Sequence, residues 1–327
     1  MTVVKAIRLR ETGGPEILRL EDYDPGKPGP GEALIEQRAI GLNFIDVYHR
    51  TGLYPTAKPF TPGSEAAGVV LEVGEGVEDL KPGDRVAYCV ATGGAYAEQR
   101  LVRADRLVRV PDAVSDEQAA SAMLKGLTAW YLLRRTFPVK AGDTILCHAA
   151  AGGVGLVLGQ WAKHLGAKVI GTAGSPEKVE LAKAHGYDHV IDYTKEDFVA
   201  AVGELTSGGK CDVVYDSVGK DTFPGSLDCL RPFGMFVSFG QSSGVVPPFS
   251  INLLAQKGSL FATRPSLFTY IAARKDLEEG AQELFSMIER GAVQVRVNQR
   301  YPLADVGRAH KDLEARRTTG MTVLIPG

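Results

Sequence analysis

Cysteine is scarce in this chain. Four are spread over 327 residues, at positions 89, 147, 211 and 229, and none forms a C-x-x-C pair. Three of them lie in apolar surroundings, so reduced core thiols are expected rather than a disulfide framework or a thiolate metal centre. Charge of one sign is also missing. The formal net charge is -2 and the basic residues are scattered, which leaves no cationic face of the kind that neutralises nucleic-acid phosphates. The one short basic cluster, Arg316-Arg317, reads as a solvated helix end. No apolar run approaches the roughly 18 residues that span a bilayer. The start, "MTVVKAIRLR", alternates where a secretory signal would be continuously apolar. Internal repeats and low-complexity linkers are absent too. A cytoplasmic enzyme or binding protein, with neither membrane nor nucleic acid as partner, is the expectation.

What is present falls into two rhythms. From residue 1 to about 124, short alternating segments such as "KAIRL", "EALIEQRAI" and "AAGVVLEVG" are separated by turn signals such as "PGKPGPG" and "KPGD". This stretch reads as a β-rich compact sheet or partly open barrel. From about 141 the order becomes strand, helix, strand, helix: "DTILCHA", then an apolar helical stripe of Val154, Val157, Leu158, Trp161 and Leu165, then "KVIGT", "HVIDY", "CDVVYDSVG" and "MFVSFG". Repeated βαβ units predict a parallel sheet covered by helices on both faces. A chain this long exceeds one core, and the fold class is α/β with two domains. The β-rich domain spans 1–124 and is completed by 265–327, around a doubly wound domain at 125–264.

Within the second rhythm, "HAAAGGVG" follows a predicted strand and opens a helix. Aligned on the dinucleotide fingerprint G-x-G-x-x-G it reads Ala150-Ala151-Gly152-Gly153-Val154-Gly155. Gly152 permits close approach to a pyrophosphate, Gly155 permits tight strand-helix packing, and the helix amino terminus supplies N–H donors. Ala150 departs from the first glycine, and its methyl group implies a slightly wider turn. At the end of the next strand an NAD site wants a carboxylate for the ribose 2′-hydroxyl, but here the chain has Thr172-Ala173-Gly174-Ser175. That absence leaves room for a 2′-phosphate, and NADPH is the expected cofactor. Lys178, in the first turn of the following helix, reads either as a partner for that phosphate or as an exposed helix lysine.

The segment Gly142 to Lys163, "GDTILCHAAAGGVGLVLGQWAK", resembles the signature of the quinone oxidoreductase and zeta-crystallin group of the medium-chain dehydrogenase/reductase superfamily. The likeness continues in "AIGLNFIDVYHRTGLYP", "GSEAAGVVLEVGEGVEDLKPGDRV", "LKGLTAWYLL", "VVYDSVGKDTFPGSLDCL", "VSFGQSSG" and "TRPSL", over nearly the whole chain. It implies a GroES-like catalytic domain, a Rossmann domain that binds NADP, and a homodimer, for which "GSLFATRP" offers a sheet edge. Zinc-containing members of the superfamily place a Cys and a His where this chain has Asn43 and Ser64, neither of them a useful zinc ligand. His49 nearby reads as exposed or capping. No metal site is therefore expected, and the implied reaction is one the acceptor makes easy: reduction of a quinone, by one electron or by hydride.

Three residues in one stretch, Asn43, Tyr48 and Tyr54, are able to donate hydrogen bonds to an acceptor carbonyl. Asn43 with Asp46 also fits a helix N-cap, and both tyrosines also fit simple packing. The resemblance favours the substrate-cleft reading. It also assigns cofactor contacts to Gly174, Lys178, Tyr193, Ser242 and Arg316, the last reaching the 2′-phosphate. Two further functions stay open: reduction of activated C=C bonds in enones or enoyl thioesters, and a non-catalytic crystallin-like or RNA-binding role.

Overall fold

The amino-terminal strands pair antiparallel, and β-strand residues 33–35 and 65–68 are buried in continuous runs that cover both faces. In the computed structural model, which describes residues 3–327, β1 (Val4–Arg8) and β2 (Arg19–Tyr23) form a two-stranded ribbon. The long strand β3 (Glu32–Gly41) leads into helix α1 (Phe44–Thr51), then β4 (Glu65–Val73), β5 (Arg85–Cys89), β6 (Gln99–Arg103), β7 (Val108–Arg109) and helix α2 (Asp116–Tyr131). Strand β3 pairs with β4 along one edge and with β6 along Glu32–Glu36 of the other.

The βαβ rhythm then produces β8 (Thr144–Cys147), α3 (Gly153–His164), β9 (Lys168–Ala173), α4 (Pro176–Lys183), β10 (His189–Asp192), α5 (Phe198–Leu205), β11 (Cys211–Asp216), α6 (Gly225–Asp228), β12 (Leu230–Ser238), α7 (Asn252–Gln256), β13 (Phe261–Thr263) and α8 (Leu267–Tyr270). Their sheet has the order β10-β9-β8-β11-β12-β13 and every pairing is parallel. This is the doubly wound order, and its direction reverses between β8 and β11, where such sheets bind ligands at their carboxyl ends. Gly166 and Gly186 adopt left-handed conformations just past α3 and α4, as their positions in the sequence require.

The chain closes with α9 (Arg274–Glu289), β14 (Val297–Pro302), α10 (Val306–Glu314) and β15 (Met321–Ile325). Strand β15 lies between β14 and β3 and meets β3 at Ile40 and Gly41. Two compact units result. One contains the chain through Leu127 with Ile271–Glu289 and Val295–Gly327; the other contains Thr128–Tyr270 and Arg290–Gln294. The first has a core that includes Ile7, Ile35, Tyr88, Leu107 and Leu324, and the second one that includes Leu146, Ile170, Val214 and Phe236. All four cysteines are buried and unpaired, and among the described residues no helix is long and apolar enough to cross a membrane.

Candidate functional site

In the second unit, β8 ends at Cys147 and α3 begins with Gly152 as its N-cap, so the glycine loop stands at the point where the strand order reverses. Gly152, Gly153 and Val154 are half-buried, whereas Gly155 is buried. The first amides of α3 have no intrahelical acceptor, an arrangement that favours an anion. Gly155 has no room for a side chain, because a Cβ would lie 2.5 Å from the Ala149 carbonyl oxygen. Ala151 is buried in the turn.

The expected widening at Ala150 takes another form. Ala149 absorbs the turn with φ of 55°, and Gly171 on β9 leaves space for the Ala150 methyl. Beneath the loop lies a polar cluster that sequence reading missed. His148 Nδ1 is 3.0 Å from Thr172 Oγ1 and its Nε2 is 3.1 Å from Ser226 Oγ. Ser226 Oγ and Thr222 Oγ1 donate in turn to Asp216 Oδ2, and the amides of Val218 and Gly219 to its Oδ1. Since Ser226 donates to Asp216, it accepts from His148 Nε2–H, and Nδ1 accepts from Thr172. His148 is thus neutral; burial lowers its pKa, with Asp216 opposing in part.

The remaining cofactor candidates of this unit also sit at carboxyl ends of strands. Gly174 follows β9, where no carboxylate stands, and the Tyr193 hydroxyl occupies the space that a Cβ on Gly174 would need. Ser175 caps α4, its Oγ accepting from the Lys178 N–H at 3.3 Å. Ser242 is exposed after β12 and donates its N–H to Ser217 O at 3.1 Å. Arg316 belongs to the first unit, exposed past α10 with φ of 58°.

In the first unit, Asn43 precedes α1 and its N–H donates to Asp46 Oδ2 at 2.9 Å, so the backbone half of the cap is real. Its side chain goes elsewhere. Nδ2 donates to Glu65 Oε1 at 2.8 Å and makes a second, long contact to Gly41 O at 3.4 Å. Glu65 also accepts from Lys125 Nζ at 2.7 Å and from the Leu124 amide at 2.6 Å. Asp46 is fully buried, accepting from Ser64 Oγ at 3.2 Å and from the Tyr96 hydroxyl at 2.9 Å. Burial raises its pKa to about 7 despite those donors and Lys125. Tyr96 in turn contacts His310 Nε2 at 3.0 Å, and Arg50 Nη1 donates to His310 Nδ1 at 3.1 Å while pairing with Glu314. Burial, helped by Arg50, lowers the His310 pKa to about 3.

Tyr48 is buried and packs edge-on to half-buried Tyr54 with ring centroids 5.2 Å apart. His49, expected exposed or capping, is 6% exposed and packs on Tyr54 and Phe60, because it shares the inward face of α1 with its neighbours. Of these groups, Lys125, Glu65, Tyr96, His310 and Arg50 had no local signal, since each partner lies tens to hundreds of residues away.

Residues 29–112 match the family model "Alcohol dehydrogenase GroES-like domain", and residues 153–286 match "Zinc-binding dehydrogenase". The donor set does not fit zinc. Asn43 and Ser64 are bonded to Glu65 and Asp46, and the described residues contain no cluster of three His, Cys, Asp or Glu able to hold a metal. Among relatives, the chain is 53% identical to the quinone oxidoreductase of Pseudomonas aeruginosa, over 99% of this chain and 100% of that one. The crystal structure of the Escherichia coli quinone oxidoreductase complexed with NADPH superposes with a TM-score of 0.97 at 50% identity, over 98% of this chain and 100% of that one. The 2-haloacrylate reductase of a Burkholderia species is 45% identical over 99% of both chains. With a GroES-like domain, an all-parallel dinucleotide-type sheet and this degree of identity along its whole length, the chain belongs to the quinone oxidoreductase family of the medium-chain dehydrogenase/reductase superfamily.

Proposed function

We propose that the protein is an NADPH-dependent quinone reductase that works without a metal. The glycine loop over α3, with no carboxylate at the end of β9, carries this reading. The loop from Ala151 to Gly155 holds the pyrophosphate, Gly174 sets no carboxylate against the ribose, and Lys178 meets the 2′-phosphate. Tyr193 flanks the adenosine and Ser242 closes the loop on the far side. NADPH, when bound, supplies the reducing equivalents.

On the acceptor side, Tyr48 and Tyr54 present ring faces and hydroxyls to a planar quinone. Asn43 is anchored through Glu65, and its second N–H, held only loosely at 3.4 Å by Gly41 O, is exchanged for the acceptor oxygen as charge develops there. Fixing a donor before the reaction spares reorganisation in the transition state. Strand β13 is one of the two edges of the six-stranded sheet, with Phe261 and nearby Phe233 exposed, and supports a dimer formed edge to edge. The four buried thiols accord with a cytoplasmic setting.

The test is NADPH oxidation with benzoquinone and naphthoquinone acceptors. A pure protein that binds NADPH and reduces neither would refute the proposal. A second reading, reduction of a C=C bond conjugated to a carbonyl or carboxylate, is favoured by the relative named 2-haloacrylate reductase. Comparing enones and 2-haloacrylates with quinones separates the two.

A further inference from the structure

We infer that the rim of the Tyr48–Tyr54 pair is an anion subsite, in which Lys58 and His49 hold a carboxylate or sulfonate carried by the electron acceptor. The inference rests on the acceptor reading of those two tyrosines. Four histidines are buried in this chain: His49, His148, His185 and His310. Three have ring nitrogens bonded to protein, His148 and His310 through both atoms and His185 through Nδ1 to Leu181 O at 2.7 Å. His49 is the exception, with Nδ1 buried and without a partner among the described residues. A buried polar atom left in this state needs a reason, and an absent ligand is one.

The second group is on the same ring. Phe60 takes the edge of His49 at 5.6 Å and the Lys58 ammonium over its face at 5.4 Å, while His49 also touches the Tyr54 ring at 6.0 Å. Lys58 donates to Thr56 Oγ1 at 2.9 Å, a neutral oxygen, and no carboxylate pairs with it among the described residues. One cation and one neutral imidazole therefore meet on the Phe60 ring, and the cation has no counter-charge among the described residues. Tyr48 and Tyr54, joined to this pair through the contact of His49 with the Tyr54 ring, suit a flat ring; the Lys58 end suits a negative substituent on that ring. Burial lowers the pKa of both groups, and Lys58 lowers that of His49 further, so an incoming anion would relieve an unfavourable positive potential. An anionic acrylate is a smaller member of the same substrate class.

The test compares 1,2-naphthoquinone-4-sulfonate with 1,2-naphthoquinone in wild type, Lys58→Met and His49→Gln at low ionic strength. The readout is the ratio of kcat/KM for the two acceptors, which cancels effects on folding and on the cofactor. We expect this ratio to fall about tenfold in Lys58→Met, mainly through KM for the sulfonate, and to shrink in wild type at high salt. Ratios within about twofold of wild type in both variants would overturn the subsite. Failure to reduce either quinone would sink the quinone reading instead. In that case, calorimetric titration with naphthalene-2-sulfonate decides the subsite: weaker binding to Lys58→Met supports it, and equal binding overturns it.

Discussion

The Ala150 methyl fills the space that a side chain on Gly171 would need, since a Cβ built on Gly171 would lie 2.6 Å from it. The turn into α3 keeps its course because β9 gives way. Gly171→Ala should overpack this junction at a cost of about 1–3 kcal/mol and weaken NADPH binding. Urea unfolding together with cofactor titration checks both, and a variant of wild-type stability would mean the two residues do not constrain each other.

His148 ties β8 to β9 and α6 immediately beside the positive-φ residue Ala149. His148→Phe keeps the volume and loses both hydrogen bonds, leaving Thr172 and Ser226 short of a partner. Affinity for NADPH should fall about tenfold with kcat at saturation little changed. His148→Gln should recover part of the loss. Equal affinity in all three proteins would reduce His148 to packing.

Lys125 and Glu65 form a buried ion pair that also orients Asn43. Removing the cation alone, as in Lys125→Met, leaves a carboxylate without its countercharge and should cost about 3–5 kcal/mol. Replacing both, as Glu65→Gln with Lys125→Met, should restore much of that stability but not turnover, because Asn43 loses its charged anchor. A double-mutant cycle on stability and on kcat separates the two effects.

Asp46 and His310, linked through Tyr96, titrate in opposite senses. With a folded pKa near 7 against about 3.9 unfolded, Asp46 contributes stability that is present in acid and lost as pH rises. His310, lowered to about 3 from about 6.5, contributes stability that is lost on acidification. Between about pH 4 and 6.5 the slopes offset each other. Asp46→Asn should then lose stability on acidification more steeply than wild type, by about 1.4 kcal/mol per pH unit. Matching slopes would show that Asp46 is already ionised throughout this range.

How much of this was legible beforehand depended on sequence distance. The dinucleotide loop spans six residues and obeys local backbone rules, so Gly152, Gly155 and the missing acid after β9 could be read directly. The Asn43–Asp46 cap was legible for the same reason, its two residues being three positions apart. The destination of the Asn43 side chain was not, because Glu65 lies 22 residues on and reaches Asn43 only through the β3–β4 pairing. Tyr96 and His310 are 214 residues apart, and nothing in either neighbourhood announces the other. His49 was misplaced because α1 buries Asp46, Val47, Tyr48, His49 and Arg50, a run too continuous for a helix with one wet face.

Strand β15 completes the first unit's larger sheet from the far end of the chain, between β14 and β3. As a growing chain emerges, the second unit has all its residues by Gln294, while β3 still waits for the partner of Ile40 and Gly41. A stop codon a few positions before Met321 would therefore do more than shorten a tail: it would leave an open sheet edge in a molecule whose cofactor-type domain is already built, and a proteolysis pattern of one resistant fragment and one digested remainder should reveal it.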